Sequence, residues 1–126
     1  MAEDIASVVR TSYAAFVRKD RAMLESIVAE DFHFSSPLDN RLDRATYLQV
    51  CWPNSEAITH FEFVNFVPDG DRVFVTYEAR TKDGRRFRNT EISTVRGGKL
   101  VEVEVYFGWS IPHPAPPGKH VDDASK

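Results

Sequence analysis

The stretch FRNTEISTV, Phe87 to Val95, reads as sheet yet carries a carboxylate, Glu91, near its centre. What that carboxyl can do depends on which way it points. Turned into an apolar interior it loses hydration, the ionised form is disfavoured, and its pKa rises. A carboxyl held that way can donate a hydrogen bond or serve as a general acid near neutral pH. Asn89, two residues earlier, shares its face of the strand. Turned to water, Glu91 is an ordinary solvated side chain. A second carboxylate, Asp39, lies in SPLDNR just past Pro37, in the kind of loop on which function tends to sit. The competing reading makes Asp39 a turn residue that pairs with Arg41 or Arg44.

Other reactive types are less promising. His33, His60, His113 and His120 show no metal-ligand spacing, so no metal site is expected. Cys51 has no activating partner and reads as a small buried hydrophobe. The hairpin RTKDGRRFR clusters Arg80, Lys82, Arg85, Arg86 and Arg88, which is expected to be a solvated tip rather than an anion or nucleic-acid site. There is no glycine-rich phosphate loop.

The direction of Glu91 follows from its neighbours. In KLVEVEVYFG, Val101, Val103, Val105 and Phe107 alternate with Glu102, Glu104 and Tyr106. Burying the second file would put two carboxylates in the core. Each buried Val or Phe gains about 1.5–3 kcal/mol and each unpaired buried charge costs several, so the apolar file faces inward. Glu91 inherits its direction through RGGK. A three-residue loop, Arg96 to Gly98, sets Glu91 inward opposite Val103; a two-residue Gly97-Gly98 loop sets it outward opposite Glu104. Like charges facing each other favour the first by only ~0.2–1 kcal/mol, and hairpin statistics favour the second. The strand before it divides the same way. A two-residue Asp83-Gly84 turn places Thr76, Glu78 and Arg80 on the face of Glu91, whereas a three-residue turn places Val75, Tyr77 and Ala79 there.

These strands need helices to cover them. Ile5, Val9, Tyr13 and Phe16 recur at helical spacing in EDIASVVRTSYAAFVRK, with Val8 and Val17 widening the stripe. Asp20 reads as the N-cap of a second helix, RAMLESIVAE, and Asp43 as the cap of a third, RATYLQVCW, stopped by Pro53. Between them DFHFSS forms a short strand that Pro37 ends, with Phe32, Phe34 and Ser36 on one side. From Ile58 on, four strands are punctuated by Asp69-Gly70, Asp83-Gly84 and Gly97-Gly98. Helices followed by a strand meander specify an α+β plan with the helices on one sheet face. Residues 1–110 form the domain, and 111–126, rich in proline and charge, an extended or disordered tail.

At 126 residues the chain suits one domain with a sizeable core. A net charge of −3 argues against a partner chosen for its phosphates, so no nucleic acid is expected. One cysteine rules out an intrachain disulfide and fits a reducing compartment. The acidic, amphipathic start is no secretory signal, and no apolar run approaches the ~18 residues that span a bilayer. The expectation is a soluble cytoplasmic domain with no membrane partner.

Over about Asp4 to Trp109 the chain resembles the ketosteroid isomerase-like proteins, also called SnoaL-like or nuclear-transport-factor-2-like. The carriers are YAAFVRKDRAMLESIVAEDFHFSSPLD, NTEISTVRGGKLVEVEVYFG and the order of elements. The resemblance implies a cone-shaped, curved antiparallel sheet packed against three N-terminal helices, with a pocket between them and no cofactor. It implies that Tyr13 matches the tyrosine that hydrogen-bonds a substrate oxyanion, and Glu91 the neutral acid beside it. Ser36 takes the place of the isomerases' general-base aspartate, and Asp39 is the nearest replacement carboxylate. Tyr13 read by itself is a core helix residue with a satisfied hydroxyl. The expected catalytic set is Glu91, Asp39 and Tyr13, with Ser36, Asn89, Trp52, Val103 and Phe107 against a small apolar organic ligand. The scaffold hosts isomerases, cyclases, hydratases and non-catalytic modules. Ile92, Leu100 and Tyr106, set among Thr90, Thr94, Glu102 and Glu104, would form a semi-apolar outer face suited to a homodimer.

Overall fold

The computed structural model describes residues 4–121. Helix α1 spans Ile5–Arg18, capped by Asp4, whose side chain accepts from the Ser7 N–H, and ended by Lys19 in a left-handed conformation. Helix α2, Arg21–Ile27, starts where Asp20 accepts from the Met23 N–H. It ends three residues short of the expected boundary. Val28 leaves the helix to pair with Leu100, so the run from Val28 belongs to β1, Val28–Ser36.

Pro37 closes β1 as expected, but the chain turns straight back into β2, Asp39–Asp43, with Ser36 opposite Asp39. Asp39 is therefore the first residue of a strand, not a loop residue. Asp43 caps α3, Arg44–Val50, by accepting from the Thr46 N–H at 2.8 Å. Helix α3 stops before Trp52; Trp52 and Pro53 open a 3-10 turn, Trp52–Glu56. The meander follows as β3, Ile58–Asp69; β4, Arg72–Thr81; β5, Arg86–Arg96; and β6, Lys99–Ser110.

The six strands form one sheet in the order β2-β1-β6-β5-β4-β3. The expected all-antiparallel sheet is corrected at one seam: β1 runs parallel to β6. The long crossover through α3 and the meander allows this, because parallel neighbours need such a connection. The helices pack on one face over Val9, Tyr13, Leu24, Phe32, Val73, Val75 and Val95, all buried.

Two hairpins decide what faces that core. Between β4 and β5 the loop has three residues, Lys82 to Gly84, with Gly84 at φ 86° and the Gly84 N–H donating to Thr81 O. Val75, Tyr77 and Ala79 therefore lie inward, while Glu78 and Arg80 lie outward. Between β5 and β6 the loop has two residues, with both glycines at positive φ, the type I′ geometry. Arg96 opposes Lys99 and Val95 opposes Leu100, yet Thr94 opposes Glu102, which leaves Val101 in a bulge.

The bulge reconciles the two expected registers. The turn puts Val95 and Leu100 inward; without the extra residue Glu102 and Glu104 would follow them. With it, Val103 and Val105 are buried, and Glu91 sits inward opposite Val105 rather than Val103. Two corrections follow. Leu100, expected on the outer face, is buried at the core, and Val101, expected in the inward file, is the bulged residue.

Residues 111–121 form neither helix nor strand. They are tied to the sheet by the Ile111 N–H donating to Arg86 O at 2.9 Å, and Ala115 is buried. The remainder of the expected tail, 122–126, lies outside the described residues. Among the described residues no helix is long and apolar enough to cross a membrane.

Candidate functional site

Between the helices and the inward sheet face lies a cavity of about 590 Å³. Its wall takes Tyr13 and Phe16 from α1, Phe34 and Ser36 from β1, Tyr47 from α3, Tyr77 from β4, and Asn89 and Glu91 from β5. Leu38, Phe107 and Trp109 also line it although they are 81%, 53% and 46% exposed, so they mark where it opens to solvent.

Glu91 occupies the apolar interior. Its Oε1 accepts from the Tyr13 hydroxyl at 2.9 Å and its Oε2 from the Tyr77 hydroxyl at 2.7 Å. The two phenols touch edge to face, 5.5 Å between centroids, and Phe61 packs on both. What Glu91 exposes faces the cavity that it lines. Its pKa is raised: burial disfavours the charge, and the hydrogen bonds from Tyr77 and Tyr13, which favour it, offset only part. Burial, followed by the charge of Glu91, pushes both phenols far above their ordinary range, so they remain proton donors.

At the mouth, the Ser36 hydroxyl donates to Asp39 Oδ2 at 2.7 Å. A carboxylate oxygen only accepts, so the hydroxyl proton goes to Asp39, while the Leu38 N–H donates to Ser36 Oγ at 3.0 Å. Ser36 thus holds one oxygen of Asp39 and leaves Oδ1 for another partner. Asp39 pairs with neither Arg41 nor Arg44. Arg41 reaches His33 and Glu102, and Arg44 donates to the Val28 and Glu25 carbonyls. Cys51, buried at the cavity wall, has its thiol pushed up to about 11 by burial first and then by Asp39 and Glu91. It is not a thiolate at neutral pH.

The structure gathers Glu91, Tyr13, Asn89, Ser36, Asp39, Val103 and Phe107 around one cavity. Trp52 is corrected: it does not line the cavity but packs edge-on behind Phe16, 5.2 Å between ring centroids, because the chain leaves α3 two residues early, at Val50. Tyr77 and Tyr47 are among the wall residues that the sequence did not announce. Tyr77 was legible in the alternation Val73, Val75, Tyr77, Ala79, but the turn left it undecided; Tyr47, buried on α3 against Phe32 and Phe34, gave no signal. Three of the five basic side chains of the hairpin are in ion pairs, Arg85 with Asp83 and both Arg86 and Arg88 with Glu78, and Arg80 and Lys82 are exposed. His60 is exposed, and among the described residues no three His, Cys, Asp or Glu side chains are grouped to hold a metal.

A family model described as a SnoaL-like domain matches residues 9–103. No curated protein matches the chain in sequence. Among solved structures, a proposed ketosteroid isomerase from Kribbella flavida is 17% identical with a TM-score of 0.72, covering 94% of this chain and 87% of its own. IdmH from Streptomyces antibioticus, a proposed polyketide cyclase, is 23% identical with a TM-score of 0.68, covering 82% and 91%. An NTF2-like protein of unknown function from Cytophaga hutchinsonii is 17% identical with a TM-score of 0.68, covering 86% and 93%. The α+β cone, its buried carboxyl and the family match over most of the chain agree: the protein is a member of the SnoaL-like family, built on the nuclear-transport-factor-2-like fold.

Proposed function

We propose that the cavity binds a small, largely apolar organic molecule and moves protons on it with carboxyl groups, as a cofactor-free isomerase, cyclase or hydratase of the cytoplasm. The observation that carries this reading is Glu91, an acid with a raised pKa held by two phenols in an apolar cavity. In its protonated form, which burial favours, Glu91 has a proton to give while its oxygens still accept from Tyr13 and Tyr77. Directed at a substrate carbonyl, that proton stabilises the oxyanion or enol as charge develops. Asp39, with Oδ2 held by Ser36, takes a proton through Oδ1 from a substrate carbon near the mouth. The aromatic wall holds the apolar body, and Phe107 grips its outer end.

One observation favours a second reading, a non-catalytic binding module: both oxygens of Glu91 are satisfied by protein donors, as in a structural carboxyl. The ligand separates the two. Mass spectrometry of the protein under non-denaturing conditions should reveal a retained apolar molecule bearing a carbonyl or hydroxyl, and chemistry requires that incubation convert it to an isomer, cyclised form or hydrate. A ligand recovered unchanged supports the second reading. A highly polar ligand would sink both.

The proposal includes a homodimer through the outer sheet face, where Phe74 and Ile92 pair beside the half-exposed Tyr106 and the Thr76–Thr90 hydrogen bond. Semi-apolar sheet faces left uncovered invite a partner. Sedimentation is expected to give twice the chain mass at micromolar concentration, and Ile92→Lys to give the monomer. A wild-type monomer at that concentration would end the idea.

A further inference from the structure

We infer that Asn89 is a positioning residue that sets the proton equilibrium of Glu91 through Tyr77, rather than a contact for the ligand. A backbone N–H can only donate, and that of Gly108 reaches Asn89 Oδ1 at 3.2 Å. This fixes which way the amide lies, so Nδ2 faces Tyr77 and donates to its oxygen at 3.3 Å. The Tyr77 oxygen is then an acceptor, and its single proton goes to Glu91 Oε2 at 2.7 Å. Each link has one sense: Gly108 to Asn89 to Tyr77 to Glu91.

A phenol O–H lies in the ring plane and can point to either side of its C–O axis. Asn89 removes that freedom and polarises the Tyr77 O–H, since hydrogen bonds in a chain strengthen one another. A fixed donor favours the ionised carboxyl and works against burial. Asn89 therefore keeps the Glu91 proton releasable in an apolar cavity. The other titratable or charged groups lining the cavity with Glu91 are Tyr13 from α1, Tyr47 from α3, Cys51 just beyond it, Asp39, and Arg85, which is paired with Asp83. Among the described residues no lysine or arginine pairs with Glu91, which leaves the phenols as its stabilising partners. The geometry that holds Asn89 is itself local: β5 and β6 shift register between Phe87 and Asn89, and the shift brings Gly108 N–H under the amide.

The inference touches turnover only through the acid–base reading, so its test uses no substrate. Carbon NMR of the carboxyl groups follows the titration of Glu91 in the intact protein. Asn89→Leu, near in size and without polar atoms, is expected to tighten proton binding at Glu91 about three- to tenfold. In a Tyr77→Phe background the same change is expected to do nothing further, because the middle link is gone. A Glu91 titration unmoved by Asn89→Leu would overturn the inference, as would a shift that persists in full without the Tyr77 hydroxyl. Should Asn89→Leu fail to fold, the wild type still decides: the Asn89 side-chain amide resonances are expected to titrate with the midpoint of Glu91. Resonances that ignore that midpoint would refute the relay. An inert binding module would pass this test unchanged, so its failure and that of the enzymatic reading are told apart.

Discussion

Replacing Glu91 by glutamine is expected to slow proton transfer to substrate by about 10²–10⁴-fold while leaving the fold intact. Glutamine keeps the shape and one acceptor oxygen for Tyr13 or Tyr77, but it has no proton to give or take. The rate is measurable before the natural substrate is known, as deuterium exchange at the α-carbon of a bound cyclic ketone in heavy water. Exchange that continues at the wild-type rate would remove Glu91 from the chemistry.

The same variant carries a stability signature with a definite sign. The folded pKa of Glu91 lies above its unfolded value, so between the ordinary carboxylate pKa of about 4.3 and the raised one the folded chain holds more protons. Stability from this group is fully present below the unfolded pKa and is lost as pH rises through the folded one. Thermal melts of Glu91→Gln should lack that decline, so the variant gains on the wild type as pH increases. Parallel melting curves across pH would mean that the carboxyl is not desolvated.

The second large effect is expected at Gly108. A Cβ there would lie 2.2 Å from the carbonyl oxygen of Arg88 and 3.0 Å from its carbon. The obstacle is backbone and cannot rotate aside, so β5 and β6 must separate at the shift that seats Asn89. Gly108→Ala should cost about 1–3 kcal/mol, as overpacking does, and lower the melting temperature by several degrees. The Gly108 N–H should also leave Asn89, which shows as faster amide exchange. An unchanged melting temperature would mean that the strands are looser here than their register implies.

Much of the frame was legible locally. Asp20 and Asp43 announce their helices, because a cap needs only the N–H groups of the next turn. The strand Arg72–Thr81 was readable from Val73, Val75, Tyr77 and Ala79, whose alternation has the period of the pleat. The strand Asp39–Asp43 was not, since a polar edge strand has no apolar file to display. Trp52 was expected on the wall as the last residue of the third helix. Two residues lost at the end of α3 were enough to put it behind Phe16.

By itself, then, the sequence determined the order of elements, the turns, and the inward direction of Val103, Val105 and Phe107, all set by neighbours within a few residues. Tertiary structure decided the rest. The bulge at Val101 turns Glu91 inward despite a two-glycine turn, the parallel seam of β1 with β6 gives Leu100 a partner in Val28, and Tyr77 meets Tyr13 only once the sheet wraps α1. Each of these joins segments far apart in the chain, and a register shifts by one residue when burial of two valines outweighs an irregular ladder. No local pattern records that balance.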